Sequence, residues 1–262
     1  MYKICHITIH IDQEDLLCKI WDRFRTEEEE KGAEIRFLRA EERVRYGHEQ
    51  YDVCGDVAHV LRIDGDLMLS SRDWRENHIL RLEDVRHLQE FLIQTFYTHA
   101  VQRRMLQIHS SLIDDHGRGI MFLGPSGIGK TTQAERWRDY RDAVIINGDM
   151  VFVQETAEGF LGWGTPWHGS SPYCENASVP LRALVILKQA PENRIRPLSG
   201  FEMVSEVSHS VFYPTWLENG MDLCLATLDH LLTKVPVYLL ENRADEEAVA
   251  LLEQTLDQNK KE

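Results

Sequence analysis

Residues 124–131 read Gly-Pro-Ser-Gly-Ile-Gly-Lys-Thr, and this octapeptide sets the expected architecture. It follows the pattern GxxxxGK[ST], in which the backbone N–H groups of a glycine-rich loop surround phosphate oxygens. The stretch RGIMFLG (118–124) before it is apolar, and TTQAERWRDY (131–140) after it is compatible with a helix. A strand, a phosphate-binding loop and a helix are therefore predicted in that order, which is typical of a nucleotide-binding α/β domain.

Each residue type in this loop has a physical role in holding a triphosphate. Glycine tolerates positive φ, so Gly124, Gly127 and Gly129 allow the backbone to wrap around phosphates. Lys130 is expected to reach the β- and γ-phosphates of ATP, and the Thr131 hydroxyl to bind Mg²⁺. The residues expected to bind ATP are Gly124, Pro125, Ser126, Gly127, Ile128, Gly129, Lys130, Thr131 and Thr132.

Two titratable residues near the loop in sequence are candidates for the chemistry. His109 lies in the predicted strand before the loop strand, and Asp149 follows the apolar stretch AVII (143–146). Asp149 is expected to hold Mg²⁺ or to accept a proton from an acceptor hydroxyl, and Lys130, Asp149 and His109 are the predicted catalytic residues. Structural roles are also open, because a lone histidine often only ties two strands together and Asn-Gly-Asp is a common turn.

Composition excludes several classes of protein. The 262 residues are 43% hydrophobic and 27% charged, as in ordinary globular domains. The net charge of −14 argues against general nucleic-acid binding, although residues 100–141 carry a local excess of three positive charges. We expect a cytoplasmic protein without a membrane segment, because the sequence shows no signal peptide or long apolar run and its five scattered cysteines form no metal or disulfide pattern.

The pattern of elements predicts two domains. β-Branched residues predict a strand over 2–11, the stretch 16–31 suggests a short helix, and alternating stretches near 57–70 predict a hairpin turning at Asp64-Gly65. Apolar residues at helical spacing predict a long helix between about 84 and 104. We therefore expect a smaller α+β module over 1–104 and a P-loop domain over 105–262.

The segments IHSSLIDDHGRGIMFLGPSGIGKTT and VIINGDMVFV resemble the catalytic domain of HPr kinase/phosphorylase. The resemblance covers about residues 105–242 and is closest to the HPr-kinase-related serine kinases of peptide-modification clusters. It implies a mixed-sheet P-loop domain of the phosphoenolpyruvate-carboxykinase-like type and is compatible with a homo-oligomer. By this resemblance His109 is the active-site histidine, Lys130 and Thr131 are the Walker lysine and the metal-binding hydroxyl, and Asp149 is the second of two paired aspartates.

The chain departs from that family at two positions. Gly148 stands where the family has its first aspartate, and GWGTPWHGS (162–170) occupies the region of the family's EIRGLGI motif. The second departure argues against HPr as the acceptor and against the reverse, phosphorylase reaction.

Three functions remain open from the sequence. The first is an ATP-dependent kinase that transfers the γ-phosphoryl group to a hydroxyl, most simply a serine, of a peptide, protein or small molecule. The second is a nucleotide-binding accessory or regulatory protein without productive transfer, which the missing first aspartate favours. The third is an ATPase motor, disfavoured because no apolar strand ending in Asp-Glu is evident.

Overall fold

The structure, a computed structural model, describes residues 1–29, 32–45, 48–53 and 55–258. The chain folds into two compact units, Met1–Ala100 and Val101–Glu262. Both contain mixed β-sheet and helices, so the predicted α/β class is confirmed.

The N-terminal unit is built around one mixed sheet in the order β1-β2-β3-β8-β7-β6, beside a separate β4–β5 hairpin. Its pairings β2–β3 and β3–β8 are parallel, whereas the others in the sheet are antiparallel. The strands are β1 (Tyr2–Ile4), β2 (Ile7–Ile11), β3 (Ile35–Arg39), β4 (Glu41–Arg45), β5 (His48–Asp52), β6 (Val57–Ile63), β7 (Asp66–Ser71) and β8 (Glu76–Arg81).

Two predictions for this unit are wrong. The single strand over 2–11 is a hairpin, because Cys5 and His6 take positive φ values of 47° and 64° and reverse the chain between β1 and β2. The stretch 16–31 holds no α-helix within its described residues: a 3₁₀ segment, Lys19–Phe24, lies there instead, and a second one, Glu14–Leu16, precedes it. Trp21 and Phe24, three residues apart, are buried, and that spacing suits the three-residue turn of a 3₁₀ helix.

The other two predicted features of the unit are confirmed. The β6–β7 hairpin turns at Asp64-Gly65, where Asp64 has a φ of 51°. The predicted long helix is α1 (Val85–Val101), whose buried residues include Leu88, Phe91 and Phe96. Of the five cysteines, Cys54 lies outside the described residues, and so do residues 30–31 of the predicted short helix.

The C-terminal unit alternates strands and helices around a larger mixed sheet. Its strands are β9 (Met105–Asp114), β10 (Gly119–Leu123), β11 (Val144–Asn147), β12 (Met150–Thr156), β13 (Gly159–Trp163), β14 (Ser178–Gln189), β15 (Arg194–Pro197), β16 (Val211–Phe212) and β17 (Val237–Asn242). Its helices are α2 (Lys130–Arg141), α3 (Gly200–Ser208), α4 (Gly220–Lys234) and α5 (Glu246–Gln258).

The topology of this sheet positions the glycine-rich loop. The path runs β10-β9-β12-β13-β14-β17-β15, and β10 also pairs with β14. Strand β14 pairs in parallel with both β10 and β17, so the carboxyl ends of the three strands lie at one edge. Ligands of α/β proteins bind in the crevice outside such carboxyl ends, and the loop 124–129 leaves β10 at this edge.

An apolar core holds the loop strand and its helix in place. All five residues of β10 are buried, and Trp137 of α2 is buried in the same cluster as Ile120 and Phe122. Asp245 caps α5, since its Oδ1 accepts a hydrogen bond from the Ala248 N–H at 3.1 Å.

Two expectations about the whole chain can be compared with the described residues. None of Cys5, Cys18, Cys174 and Cys224 forms a disulfide. Within the described ranges, each helix is too short or too polar to cross a bilayer.

Candidate functional site

The loop between β10 and α2 has the conformation that its glycines were expected to allow. Gly127 and Gly129 have φ values of 79° and 111°, which a residue with a side chain rarely adopts. The Ile128 N–H donates to the Pro125 carbonyl at 3.2 Å and closes a turn inside the loop. The first turn of α2 begins at Lys130, so its N-terminal N–H groups and positive dipole end lie at the loop.

Lys130 lies inside the curve of the loop. Its Nζ donates to the carbonyls of Gly124 at 3.0 Å and Pro125 at 3.3 Å, and the residue is only 6% exposed. Burial lowers the pKa of Lys130 below its ordinary value, and the nearby Asp149 carboxylate opposes that shift. A buried ammonium group that is bonded only to neutral carbonyls is suited to exchange them for anionic oxygens.

His109 and Asp149 form a pair across two neighbouring strands. Met150 of β12 lies opposite His109 of β9, which brings Asp149 beside the histidine, and His109 Nε2 lies 3.1 Å from Asp149 Oδ1. The Asn147 side chain holds the turn, because its Oδ1 accepts hydrogen bonds from the N–H groups of Asp149 at 2.8 Å and Met150 at 2.9 Å. The Asn-Gly-Asp segment is therefore a turn, and it also presents its carboxylate to a histidine.

A cavity of about 370 Å³ unites most of the predicted site residues. The sequence-predicted residues that line it are His109, Ser126, Gly127, Gly129, Lys130, Thr131, Thr132 and Asp149. Gly124 and Pro125 are not among its lining residues, but their carbonyls accept the hydrogen bonds that position Lys130 Nζ. Ile128 lines a neighbouring cavity instead.

The structure adds a wall that sequence reasoning did not assign to the site. Ser170, Ser171 and Pro172 line the same cavity, directly after the loop GTPWHG (164–169). A Cβ on Gly169 would overlap Asp149 Oδ2 and lie 2.7 Å from Asp149 Cγ, so the absence of a side chain at 169 allows this loop to approach the carboxylate. The glycine-bounded loop was visible in the sequence, but its contact with Asp149 required the fold.

The same wall explains Gly148 in physical terms. A Cβ at this position would overlap Ser171 Oγ and lie 2.5 Å from Ser171 Cβ. There is no room for a second aspartate beside Asp149 unless the 168–172 segment moves. The site therefore presents one carboxylate, that of Asp149, at this turn.

The donor set is compatible with Mg²⁺ bound together with a phosphate ligand. Thr131 and Asp149 line the same cavity, and Thr131 Oγ1 lies 3.4 Å from the Gly148 carbonyl oxygen. No group of three or more His, Cys, Asp or Glu side chains among the described residues could hold a metal by itself. Mg²⁺ at phosphate sites commonly takes one or two protein oxygens and completes its shell with waters and phosphates, which this pair of residues fits.

Comparisons with known proteins give one family and one solved structure. The family model of SynChlorMet cassette protein ScmC matches residues 81–256, more than half of the chain. None of the curated proteins matches the chain. The solved structure of the HPr(Ser) kinase/phosphatase from Coxiella burnetii is similar at 12% identity, over 59% of this chain and 95% of that one, with a TM-score of 0.35. At that TM-score the similarity says nothing about this site, whose chemistry rests on its own geometry.

Proposed function

The chain belongs to the SynChlorMet cassette protein ScmC family, and on that premise and the geometry of its site we propose that it is an ATP-dependent kinase. The γ-phosphoryl group of ATP would be transferred to a hydroxyl, most simply that of a serine, on a peptide, protein or small molecule. Mg²⁺ is the proposed metal cofactor.

One observation carries the proposal: a cationic phosphate loop and a carboxylate paired with a histidine face one cavity. Lys130 and the N-terminus of α2 are suited to hold phosphates, and Asp149 adds a carboxylate that can serve an acceptor as well as Mg²⁺. Asp149 is within reach of a hydroxyl placed in that cavity, as a proton acceptor must be. Phosphoryl transfer depends mainly on such positioning and on charge stabilisation.

The proposed transfer forms one bond and breaks another. The acceptor hydroxyl oxygen forms a bond to the γ-phosphorus while the bond from that phosphorus to the β–γ bridging oxygen breaks, and ADP leaves. Asp149 accepts the hydroxyl proton, and His109, whose Nε2 lies 3.1 Å from Asp149 Oδ1, holds the carboxylate in orientation. Lys130 neutralises charge on the outer phosphates after it leaves the carbonyls of Gly124 and Pro125.

Mg²⁺ would be held by the Thr131 hydroxyl and by Asp149, together with the phosphates. When bound, it neutralises charge on the β- and γ-phosphoryl oxygens. We propose that Asp149 both binds Mg²⁺ and accepts the hydroxyl proton, because there is no room for an acidic side chain at Gly148.

A nucleotide-binding accessory protein is the second candidate function. The absence of space for a side chain at Gly148 favours it, because a single carboxylate must then serve two roles. This alternative predicts ATP binding without transfer, so the two candidates differ in a direct measurement.

The deciding experiment follows the γ-phosphoryl group. The full chain is incubated with Mg²⁺ and ATP labelled at the γ-phosphate, first alone and then with a panel of serine-containing peptides. We expect label on the acceptor hydroxyl only when Mg²⁺ is present. Bound ATP with no label on any acceptor would support the accessory function, and failure to bind ATP would overturn both.

The matched control is Asp229→Asn, which removes an exposed carboxylate on α4 that does not line the cavity. It is expected to leave both binding and transfer unchanged.

A further inference from the structure

The wall of the phosphate cavity beside Asp149 carries two serine hydroxyls of the chain itself. Ser170 and Ser171 line the cavity together with Lys130, Thr131 and Asp149, although they come from a different segment of the chain than the phosphate loop. The proposed reaction transfers a phosphoryl group to a hydroxyl, and a serine is the simplest acceptor. Hydroxyls of that kind are therefore already present in the space where the transfer would take place.

The backbone holds this segment close to the proposed proton acceptor. Gly169 has a φ of 57°, and a Cβ at this position would overlap Asp149 Oδ2. The Ser171 N–H donates to the His168 carbonyl at 3.0 Å, which closes a turn with Gly169 and Ser170 as its central residues. Ser170 thus lies at the tip of a turn whose other central residue is against the Asp149 carboxylate.

The two serines differ in what their hydroxyls do. Ser171 is 7% exposed, its Oγ accepts a hydrogen bond from the Tyr173 N–H at 3.3 Å, and it fills the space beside Gly148. Ser170 is exposed, and its hydroxyl forms no hydrogen bond with any of the described residues. Ser171 therefore supports the wall, whereas the Ser170 hydroxyl can turn toward a ligand in the cavity.

The remaining hydroxyls of the cavity belong to the elements that are expected to hold the phosphates. Ser126 lies in the phosphate loop, and Thr131 and Thr132 lie in the first turn of α2. In phosphoryl transfer the attacking and leaving oxygens are roughly in line on opposite sides of the phosphorus. The attacking hydroxyl is therefore expected beside Asp149 and away from the phosphate loop, where Ser170 is the exposed hydroxyl.

We propose that Ser170 is a phosphoryl acceptor within its own chain, so that the protein phosphorylates itself when no other acceptor occupies the cavity. The inference rests on the proposed function and adds a modification site to it. The Ser170 Oγ forms a bond to the γ-phosphorus of ATP, and the bond from that phosphorus to the β–γ bridging oxygen breaks. The electron pair of the broken bond leaves with ADP, and the hydroxyl proton passes to Asp149.

The product of this reaction limits it. A phosphoserine carries a charge of about −1.5 to −2 at neutral pH, and here it stands beside Asp149 in the cavity of Lys130. It competes with the outer phosphate of the next ATP for the same cation and the same space. We therefore expect the reaction to stop at one phosphoryl group per chain and the modified chain to bind ATP more weakly.

The test follows the label in the absence of any added acceptor. The full chain is incubated with Mg²⁺ and γ-labelled ATP, and the labelled residue is identified by peptide mass spectrometry. We expect label on Ser170, at a rate constant that does not change when the protein is diluted, because the transfer occurs within one chain. In a mixture with an affinity-tagged Lys130→Ala chain, only the unmodified chain is expected to carry label.

Substitutions at the acceptor position sharpen the test. Ser170→Ala is expected to abolish the labelling, whereas Ser170→Thr keeps a hydroxyl at this position and is expected to keep the label there. Ser178→Ala removes another exposed serine, one that does not line the cavity, and is the matched control with labelling unchanged. The melting temperature of each variant shows that it is folded. If Ser170→Ala does not fold, the residue mapped in the unmodified chain decides.

Several results would overturn the inference. They are label at a residue other than Ser170, labelling retained in folded Ser170→Ala, an equal loss of labelling in Ser178→Ala, and label on the Lys130→Ala chain in the mixture. An unlabelled chain that phosphorylates a serine peptide would also overturn it, while the proposed function would stand. If ATP binds and neither the chain nor any peptide is labelled, the proposed kinase function itself fails, so the two failures are distinguishable.

Discussion

The two sides of the loop 124–131 offer a ligand different kinds of contact. On one side the groups are charged or titratable: Lys130, His109 and Asp149. On the other side are the apolar side chains of Ile128 and Leu187 and a turn whose one charged side chain, Arg243, is already paired with Asp245 and Glu247. The charged groups would interact with the reacting phosphoryl group, and the other side would contact the part of the ligand that does not react. Substitutions on the first side should therefore change turnover, and those on the second should change affinity alone.

The largest effect is expected from Lys130→Ala. Lys130 is the buried cation inside the loop, and its removal leaves the outer phosphates without a charge-assisted hydrogen bond, a contact worth about 1.5–3 kcal/mol in binding alone. We expect ATP turnover to fall below detection and the Kd for ATP to rise at least about tenfold. Calorimetry and a γ-phosphate release assay measure the two effects.

The control for this change is Lys234→Ala, which removes a half-exposed lysine near the end of α4. Normal turnover in a folded Lys130→Ala protein would contradict the assignment of the loop as the phosphate site.

Asp149→Asn is expected to have the next largest effect. The substitution keeps the shape of the side chain but removes the carboxylate that would accept the hydroxyl proton. Loss of a general base costs typically about 10²–10⁴-fold in rate, and no second carboxylate fits at Gly148 to replace it. We expect kcat for transfer to fall in that range while ATP still binds. A fall of less than about threefold would show that another group accepts the proton.

His109 is expected to act through Asp149, so two substitutions are compared. His109→Ala removes the ring whose Nε2 lies 3.1 Å from Asp149 Oδ1, and we expect kcat to fall about tenfold or more with the Kd for ATP nearly unchanged. His109→Gln places an amide N–H near the position of that ring nitrogen and is expected to recover most of the loss. Equal losses in both variants would point to a role for the imidazole itself, and normal kcat in both would leave His109 a structural residue.

The sequence was a good guide where local chemistry decides the structure. The GxxxxGK[ST] pattern contains the glycines, which adopt positive φ, together with Lys130 and Thr131. The pattern alone therefore predicts that these residues line one site. The sequence placed His109 and Asp149 near the loop but did not predict that they pair with each other. Their pairing depends on the register between β9 and β12, which the local sequence does not determine.

Other features depended on contacts between distant residues. Nothing in the sequence indicates that Ser171 fills the space beside Gly148, a contact across 23 positions that a Cβ would prevent. The turn at Cys5-His6 was missed because neither residue is a typical turn former, yet both take positive φ there. The 3₁₀ segment around Trp21 depends on burial of side chains three residues apart, and an α-helical pattern of the same length looks similar.

The smallest effect is expected from Ile128→Ala on the other side of the loop. Ile128 lines the neighbouring cavity and packs against the apolar core. Loss of about 40 Å² of apolar contact with the part of ATP that does not react costs about 1 kcal/mol, which corresponds to about fivefold weaker ATP binding. The affinity for inorganic tripolyphosphate, which has no nucleoside, and kcat at saturating ATP should stay within about twofold, because the side chain does not line the cavity of Lys130 and Asp149. Ile195→Ala is the matched control, since Ile195 packs against the same core from β15 and lines neither cavity. The contradicting result is a fall in kcat in Ile128→Ala as large as its loss of ATP affinity, with no such fall in Ile195→Ala. It would mean that this side of the loop also affects the reacting phosphoryl group.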